Sequence, residues 1–229
     1  MVIHEGVDLG ALAPAPERCV DLGNGLLLRS GDPVVTFCSR HLEPLRGFHT
    51  LLRALPALQH AHPEVRVLIV GENTPGYGPP SPHAGGHRGA LLEELEGRLD
   101  LDRIHFLERI PYPHLLALFQ ITAAHVYLTY PYALSWSCLE AMACGAAVVG
   151  SRTAPVEEAI LHGESGLLVE LNDPGQLAAA LLQLLHRPQL RARLGEGARR
   201  RVAERYALEA SLAAYDGLLS KLVAERASR

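Results

Sequence analysis

The sequence predicts an α/β protein built on a doubly wound, Rossmann-like parallel sheet of about six strands. From residue 34 onward, short runs of β-branched residues alternate with longer segments of helical periodicity, which is the pattern of βα units. The run VRVLIVG is apolar almost throughout, as expected for a strand buried on both faces. Hydrophobic residues make up 48% of the 229 residues, so a sizeable core is available.

The predicted strands share short length, apolar character and turn residues at their ends. They are residues 34–39, 65–71, 104–107, 124–129, 146–151 and 166–171. Residues 72–89 are too rich in Gly and Pro to form anything but a loop. In a parallel sheet of this kind, a ligand lies outside the carboxyl ends of the strands.

The predicted helices follow the strands as crossovers. They cover residues 47–60, 91–99 and about 113–121, a segment ending at Gly145, a short segment closed by Gly163, and three segments from Pro174 to residue 229. Asp173 before Pro174 is a typical N-cap and first-turn pair. We predict one domain, with a lead-in segment at 1–33, the α/β core at 34–170 and C-terminal helices at 171–229.

Composition excludes several classes of protein. The formal net charge is −4, so nothing indicates a nucleic-acid groove. The first residues lack the charged and apolar regions of a signal peptide, no run of eighteen apolar residues occurs, and the four cysteines form no CxxC pair. We therefore expect a cytoplasmic protein with free thiols. The GxSxG, Walker lysine and GxGxxG motifs are absent from the sequence.

Two arginines flank the start of a helix in the stretch RHLEPLRG, residues 40–47. Arg40 leaves a strand end, Arg46 lies at the helix start, and Gly47 leaves the backbone open to close approach. A helix N-terminus favours anions, and two guanidinium groups there suit a multiply charged group such as a diphosphate. An alternative remains open, in which Arg46 pairs with Glu43 and Arg40 faces solvent.

A second loop, residues 133–136, runs into the helix that carries Glu140. The small residues Ala133 and Ser135 can present backbone donors, and Glu140 stands among apolar neighbours. A carboxylate among apolar side chains needs a hydrogen-bond donor or a cation as its partner. A ribose diol would provide one, and a salt bridge to a nearby arginine is the alternative.

Other polar groups favour structural roles. Glu157 and Glu158 lie in a first helical turn, where acidic residues complement the helix dipole. His83 and His87 lack accompanying carboxylates or thiols, so we predict no catalytic metal. The arginine-rich segment 188–205 could lie on an anionic membrane, but acidic residues interrupt it and a solvated helix is the preferred interpretation.

The motifs HEGVD, SRHLEPLRGFHTLLRALPAL, IHFLERI, LEAMACGAAVVGS, HGESGLLVELND and ERYALE occur in this order. Together they resemble the C-terminal, donor-binding domain of retaining glycosyltransferases of the large family 4, with the GT-B fold. The resemblance covers nearly the whole chain. It implies that Arg40 and Arg46 hold the diphosphate of a nucleotide-sugar donor, with Arg46 replacing the usual lysine.

The resemblance also assigns the remaining donor contacts. It implies that Glu140 binds the ribose, that the backbone near Arg109 and Ile110 meets the nucleobase, and that the loop-to-helix junction contributes further contacts. These further predicted donor-binding residues are Gly47, Ser135, Trp136 and Leu139.

Two positions depart from the family pattern. Relatives usually carry a glutamate eight positions before Glu140 that touches the donor sugar, and here Tyr132 stands there. Glu108 replaces a usual glycine.

By resemblance, the complete enzyme would transfer a sugar from UDP or GDP with retention, without a metal or other cofactor. The acceptor-binding N-terminal domain is absent from this chain, so we expect a partner domain in cis or in trans and no activity from this half alone. The alternative is a non-catalytic nucleotide-sugar-binding module, which Tyr132 favours. A sugar-nucleotide epimerase fits less well, because the arginine loop and LEAMACG together favour transferases.

Overall fold

The computed structural model describes residues 2–23, 25–132 and 134–227. Its strands are β1 (Cys19–Asp21), β2 (Leu27–Arg29), β3 (Val34–His41), β4 (Arg66–Glu72), β5 (Ile104–Glu108), β6 (Ala124–Tyr127), β7 (Val148–Ser151) and β8 (Leu167–Val169). Its helices are α1 (Phe48–Ala61), α2 (Gly86–Glu94), α3 (Tyr112–Ile121), α4 (Trp136–Ala143), α5 (Ala154–Ala159), α6 (Pro174–His186), α7 (Pro188–Arg205) and α8 (Leu208–Ala227). The predicted contribution of Ala133 and the predicted helical residues 228–229 lie outside the described residues.

Strands β3 to β8 form one six-stranded sheet in the order β5-β4-β3-β6-β7-β8, and all pairs are parallel. The chain runs outward from β3 to β5 and then returns to place β6 on the other side of β3. The strand order therefore reverses between β3 and β6, which is where ligands bind in such sheets. The predicted fold class is confirmed.

Helices cover both faces of the sheet because alternate strand residues point to opposite sides. Val35 and Phe37 of β3 pack in one apolar cluster with α1 and α6. On the opposite face, Tyr127 and Val148 pack with α4 and α7. Burying apolar surface on both faces fixes the ends of β3 and β6 rigidly, and these strand ends carry the site described below.

Helix α2 corrects the sequence-based prediction. The segment 91–99 was expected to be helical, but α2 spans Gly86–Glu94 and so begins inside the predicted loop. Asn73 explains the early start, because its side-chain oxygen accepts from the Arg88 N–H at 3.2 Å while its amide donates to the Gly85 carbonyl. A side chain from the beginning of the preceding loop thus holds the start of the helix, and Gly97 at φ 70° turns the chain after its end.

Helix α5 also ends earlier than expected. It stops at Ala159, with Ile160 already extended, whereas the prediction closed it at Gly163. The Ser165 hydroxyl accepts from the Leu161 N–H at 2.8 Å, and His162 forms a bridge with Gly166. These local bonds compete with continuation of the helix.

The first residues are built into the fold. β1 and β2 form an antiparallel hairpin where only extended or turn structure was expected. Upstream, the Val7 N–H donates to the Tyr206 carbonyl at 2.8 Å, and the Leu208 N–H donates to the Val7 carbonyl at 3.1 Å. The lead-in segment is thereby bonded to the junction between α7 and α8. No helix within the described ranges is both long and apolar enough to cross a bilayer.

Candidate functional site

A cleft of about 500 Å³ opens at the carboxyl ends of the central strands. Its walls come from the carboxyl ends of β3 and β4, the segment at and after the end of β5, and the start of α4. The volume lies within the range of about 300–1,000 Å³ that is usual for small-molecule sites. The topology therefore brings loops that are distant in sequence to one ligand-sized cleft.

Arg40 and the start of α4 form the positive part of this cleft. Arg40 is exposed and lines the cleft together with Ser135 and Ser137. Ser135 is the N-cap of α4, and its hydroxyl accepts from the Ser137 N–H at 3.3 Å. The Tyr127 hydroxyl in turn accepts from the Ser135 N–H at 2.7 Å. The guanidinium group and the helix N-terminus both favour an anion in the space between these elements.

Glu140 lies on the buried side of α4 with 8% of its surface exposed. Its partner is the Tyr112 hydroxyl, which donates to Oε1 at 2.8 Å. Burial raises the pKa of Glu140, and the Tyr112 hydrogen bond acts in the opposite direction. The predicted alternative, a salt bridge to an arginine, is wrong, because the carboxylate is held by a neutral hydroxyl at the first turn of α3.

Cys38 is the thiol that lines the cleft. Burial, reinforced by the charge of Glu140, raises its pKa to about 12. A thiol with this pKa stays protonated at neutral pH and is a poor nucleophile. Among the described residues that line the cleft, the cysteine is therefore not activated as a nucleophile.

Arg109 and Ile110, to which the resemblance assigns the nucleobase, line the cleft after β5. Glu108 precedes them with φ 49°, a left-handed conformation that non-glycine residues rarely adopt. The conformation that a glycine would take easily is thus kept at a position where this chain has glutamate. Its carboxylate lies 3.6 Å from the Arg88 guanidinium, in an exposed ion pair.

Three predicted donor contacts occupy other surroundings. Gly47 has φ 68°, and a Cβ there would overlap the Leu128 side chain, so the close approach at Gly47 is made by the protein itself. Trp136 is 58% exposed and donates its indole N–H to Glu5 at 2.5 Å. Leu139 is buried in the cluster beneath α4. Neither these three residues nor Glu140 are among the residues that line the cleft.

Arg46 lines a second, smaller cavity at the same edge of the sheet. Its guanidinium donates to the Thr129 hydroxyl at 3.1 Å and lies 5.8 Å and 5.7 Å from the ring centroids of Tyr77 and Tyr132. The alternative pairing with Glu43 is wrong, because the Glu43 carboxylate faces the 73–85 loop and accepts from the Gly78 N–H at 2.8 Å. Arg40 was expected just after the strand, but β3 continues to His41 and so contains it, whereas Arg46 follows the strand. The two arginines line separate cavities.

The arginine-rich helix α7 uses several of its charges internally. Arg199 donates to the carbonyls of Leu12 and Ala143, at 2.6 Å and 2.5 Å. Arg201 donates to the Glu158 carbonyl at 2.9 Å. These guanidinium groups tie α7 to neighbouring segments, so they are not free to bind an anionic membrane surface.

Sequence reasoning missed three site residues. Tyr112, Tyr77 and Thr129 contact Glu140 or Arg46, yet each comes from a segment with no recognisable motif. The one available signal was the buried character of Glu140, which required a hydrogen-bond donor without saying which. Their identity depends on which loops the sheet brings together.

Comparison with known proteins agrees with this arrangement. Residues 25–201 match the family model described as glycosyl transferases group 1. A D-inositol 3-phosphate glycosyltransferase of Corynebacterium urealyticum is 32% identical over 212 residues, which cover 91% of this chain and 48% of that protein. The chain thus spans about half the length of the curated relatives it matches.

Two solved structures share the fold. Sucrose-phosphate synthase from Thermosynechococcus elongatus superposes with a TM-score of 0.79 at 24% identity, covering 98% of this chain and 53% of that one. Anabaena HepE, solved in complex with UDP-glucose, superposes with a TM-score of 0.73 at 20% identity, covering 96% of this chain and 57% of that one. With its six-stranded switch-point sheet and the match over residues 25–201, this chain belongs to the group 1 glycosyltransferase family.

Proposed function

We propose that this chain is the donor-binding half of a retaining, metal-independent glycosyltransferase that uses a nucleoside-diphosphate sugar. One observation carries the proposal: at the switch point, one cleft combines Arg40 with the N-terminus of α4, and the buried Glu140 lies on the same helix. A cation and the positive end of a helix dipole suit a diphosphate. A carboxylate suits a vicinal diol.

Each group has a distinct task in this proposal. Arg40 and the α4 N–H groups bind the diphosphate, Glu140 accepts from the ribose hydroxyls, and Arg109 and Ile110 border the base. Arg46, at the same sheet edge, stabilises the negative charge that grows on the diphosphate as the glycosidic bond breaks. Such preorganised donors contribute on the order of 3 kcal/mol each in characterised enzymes. The chemistry as proposed requires no metal and no cofactor, and it takes place in the cytoplasm.

A UDP-sugar is the first donor to test, because HepE, which shares the fold, was solved with UDP-glucose. GDP-sugars remain the other candidates. Titration calorimetry with UDP and GDP tests the cleft directly. We expect Arg40→Ala to weaken binding of the preferred nucleotide about ten- to a hundredfold, as loss of a hydrogen bond to a charged group does. Arg193→Ala, an exposed arginine on α7, is the matched control.

The same titration tests the other two assignments. Glu140→Gln is expected to reduce the preference for UDP over 2′-deoxy-UDP, because the carboxylate is the group assigned to the ribose. An Arg46→Ala variant that binds both nucleotides as tightly as the parent would refute the assignment of Arg46 to the diphosphate. If neither UDP nor GDP binds the parent chain, the proposed function fails as a whole.

An acceptor-binding domain, in cis or in trans, completes the proposed enzyme. Helix α8 exposes a stripe of apolar side chains, namely Leu212, Tyr215, Leu219, Leu222 and Val223. Their spacing places them on one face of the helix, and a contiguous exposed apolar face is typical of an interaction surface. We assign this face to the partner domain.

Tyr132 motivates a second candidate, a binding module without transferase activity. The second cavity presents an exposed tyrosine ring at the position where the family resemblance implies a sugar-contacting glutamate. Supplying an acceptor-binding domain from a relative and assaying sugar transfer separates the two candidates. Recovery of transfer would refute the binding-only candidate.

A further inference from the structure

Glu108 combines a strained backbone with a position at the cleft. Within the described ranges it is the only residue other than glycine with a positive φ, at 49°. A left-handed backbone is unfavourable for a residue that carries a Cβ, and such residues cluster at sites that bind ligands. Glu108 is among the residues that line the cleft of about 500 Å³. Its side chain is therefore a candidate for a ligand contact.

The strand order places Glu108 at the opposite side of the cleft from Arg40. Arg40 lies on β3 and Glu108 ends β5, and β4 separates the two strands. Neighbouring strands lie about 4.8 Å apart, so the ends of β3 and β5 are about 10 Å apart. In a nucleotide, the ribose separates the phosphates from the base. With the diphosphate at Arg40, the base lies towards Glu108.

Arg88 holds the Glu108 side chain without using up its acceptors. The Arg88 guanidinium lies 3.6 Å from Glu108 Oε1, and it also lies 5.2 Å from the ring centroid of Phe106 on the same strand. A separation of 3.6 Å is an ion pair and is too long for a hydrogen bond. The Glu108 side chain is 65% exposed. Both of its oxygens can therefore accept hydrogen bonds from a bound base.

A carboxylate distinguishes the bases because, when ionised, it can only accept hydrogen bonds. Guanine presents two adjacent donors on one edge, the N1–H and the 2-amino group. Uracil presents its N3–H between two carbonyl oxygens, which repel a carboxylate. Adenine and cytosine each present one amino group beside a ring nitrogen that accepts. Guanine is thus the base that can donate two parallel hydrogen bonds to the two oxygens of one carboxylate, and paired bonds to a charged group are strong.

We propose that Glu108 selects guanine, so that the donor is a GDP-sugar. The proposal rests on the proposed function, because it requires a nucleoside diphosphate in the cleft. A glycine would adopt φ 49° without strain but would offer no side chain to the base. HepE, solved with UDP-glucose, shares the fold at 20% identity, so the base can differ between the two proteins.

Titration calorimetry on the chain with GDP, UDP and IDP tests the role of Glu108. The base of IDP, hypoxanthine, keeps the N1–H and the O6 of guanine and lacks the 2-amino group. The variants are Glu108→Gln and Glu108→Gly. Glu96→Gln, which changes an exposed glutamate after α2, is the matched control. Far-UV circular dichroism melts confirm that each variant is folded.

The parent should bind GDP about ten- to a hundredfold more tightly than UDP, and about tenfold more tightly than IDP. Glu108→Gln should bring the affinities for GDP and IDP within about twofold of each other, because an amide pairs with the O6 and N1–H that both bases share. Glu108→Gly should equalise GDP and IDP as well, since no side chain remains to meet the 2-amino group. Glu96→Gln should keep the parent ratios. A ratio of affinities within one variant does not change when the variant is merely less stable.

Two results would overturn the assignment of guanine while diphosphate binding in the cleft still stands. One is a parent chain that binds UDP as tightly as GDP. The other is a Glu108→Gln variant that keeps the parent ratio of GDP to IDP affinity. If neither GDP nor UDP binds the parent, the proposed function itself fails and the assignment of Glu108 fails with it.

Discussion

Replacing Tyr112 with Phe removes a single oxygen and exposes what holds Glu140 in the core. The Tyr112 hydroxyl donates to Glu140 Oε1 at 2.8 Å, and the carboxylate is 8% exposed. A hydrogen bond to a charged group contributes about 1.5–3 kcal/mol to stability, and a neutral pair about 0.5–1.5 kcal/mol. We therefore expect Tyr112→Phe to lower the free energy of unfolding by about 2 kcal/mol at pH 7.

The destabilisation by Tyr112→Phe depends on pH, because the hydrogen bond is stronger when Glu140 is ionised. The folded-state pKa of Glu140 is raised above its usual value, so its favourable contribution is complete below the unfolded pKa and is lost as pH rises through the folded one. The Tyr112 bond opposes this loss by stabilising the ionised form, and its removal raises the Glu140 pKa further. The destabilisation by Tyr112→Phe should accordingly shrink to about 1 kcal/mol at pH 4, where the carboxyl is protonated.

Urea denaturation of parent and variant at pH 7 and pH 4 measures both quantities. Tyr215→Phe, on the exposed face of α8, controls for the loss of a phenolic hydroxyl. Glu140→Gln should raise the free energy of unfolding at pH 7, because the uncharged amide avoids the desolvation that raises the Glu140 pKa. Equal destabilisation by Tyr112→Phe at both pH values would refute the argument, since the bond would then not depend on the carboxylate charge.

Three further predictions concern the backbone and a core histidine. Gly47→Ala should lower the free energy of unfolding by more than about 2 kcal/mol in urea titrations, because the added Cβ meets Leu128 at a left-handed φ of 68°; a loss below about 1 kcal/mol would contradict the close approach. Glu108→Gly should raise the melting temperature, because it relieves φ 49° and removes only an exposed ion pair; a lower melting temperature would show that the strain is absent. Full burial lowers the pKa of His125 to about 3, because the charged imidazolium is poorly solvated there. The contribution of the neutral imidazole to stability is therefore complete above the unfolded pKa of about 6.5 and is lost as pH falls from there to about 3. An NMR titration that shows His125 protonated at pH 5 in the folded state would refute this.

Features of the fold that depend on interactions between residues close in sequence were predictable, and features that depend on contacts between distant residues were not. The strands were predictable because Val, Ile and Leu runs buried on both faces carry a local signal. The start of helix α2 was not predictable, because it depends on Asn73 at the far end of the loop that precedes the helix. A cap supplied from outside the helix leaves no trace in the helix sequence, and the three nearby glycines pointed the other way.

The sequence by itself determined the α/β class, the position of Arg46 just before helix α1, and the requirement that Glu140 find a partner. The tertiary structure alone decided what surrounds them: Arg40 lines the cleft, Arg46 lies over the rings of Tyr77 and Tyr132, and Tyr112 donates to Glu140. The physical reason is that periodicity and capping are local, whereas a site at a switch point is assembled from loops that only the strand order brings together. The sequence thus specified charges, and the fold specified their partners.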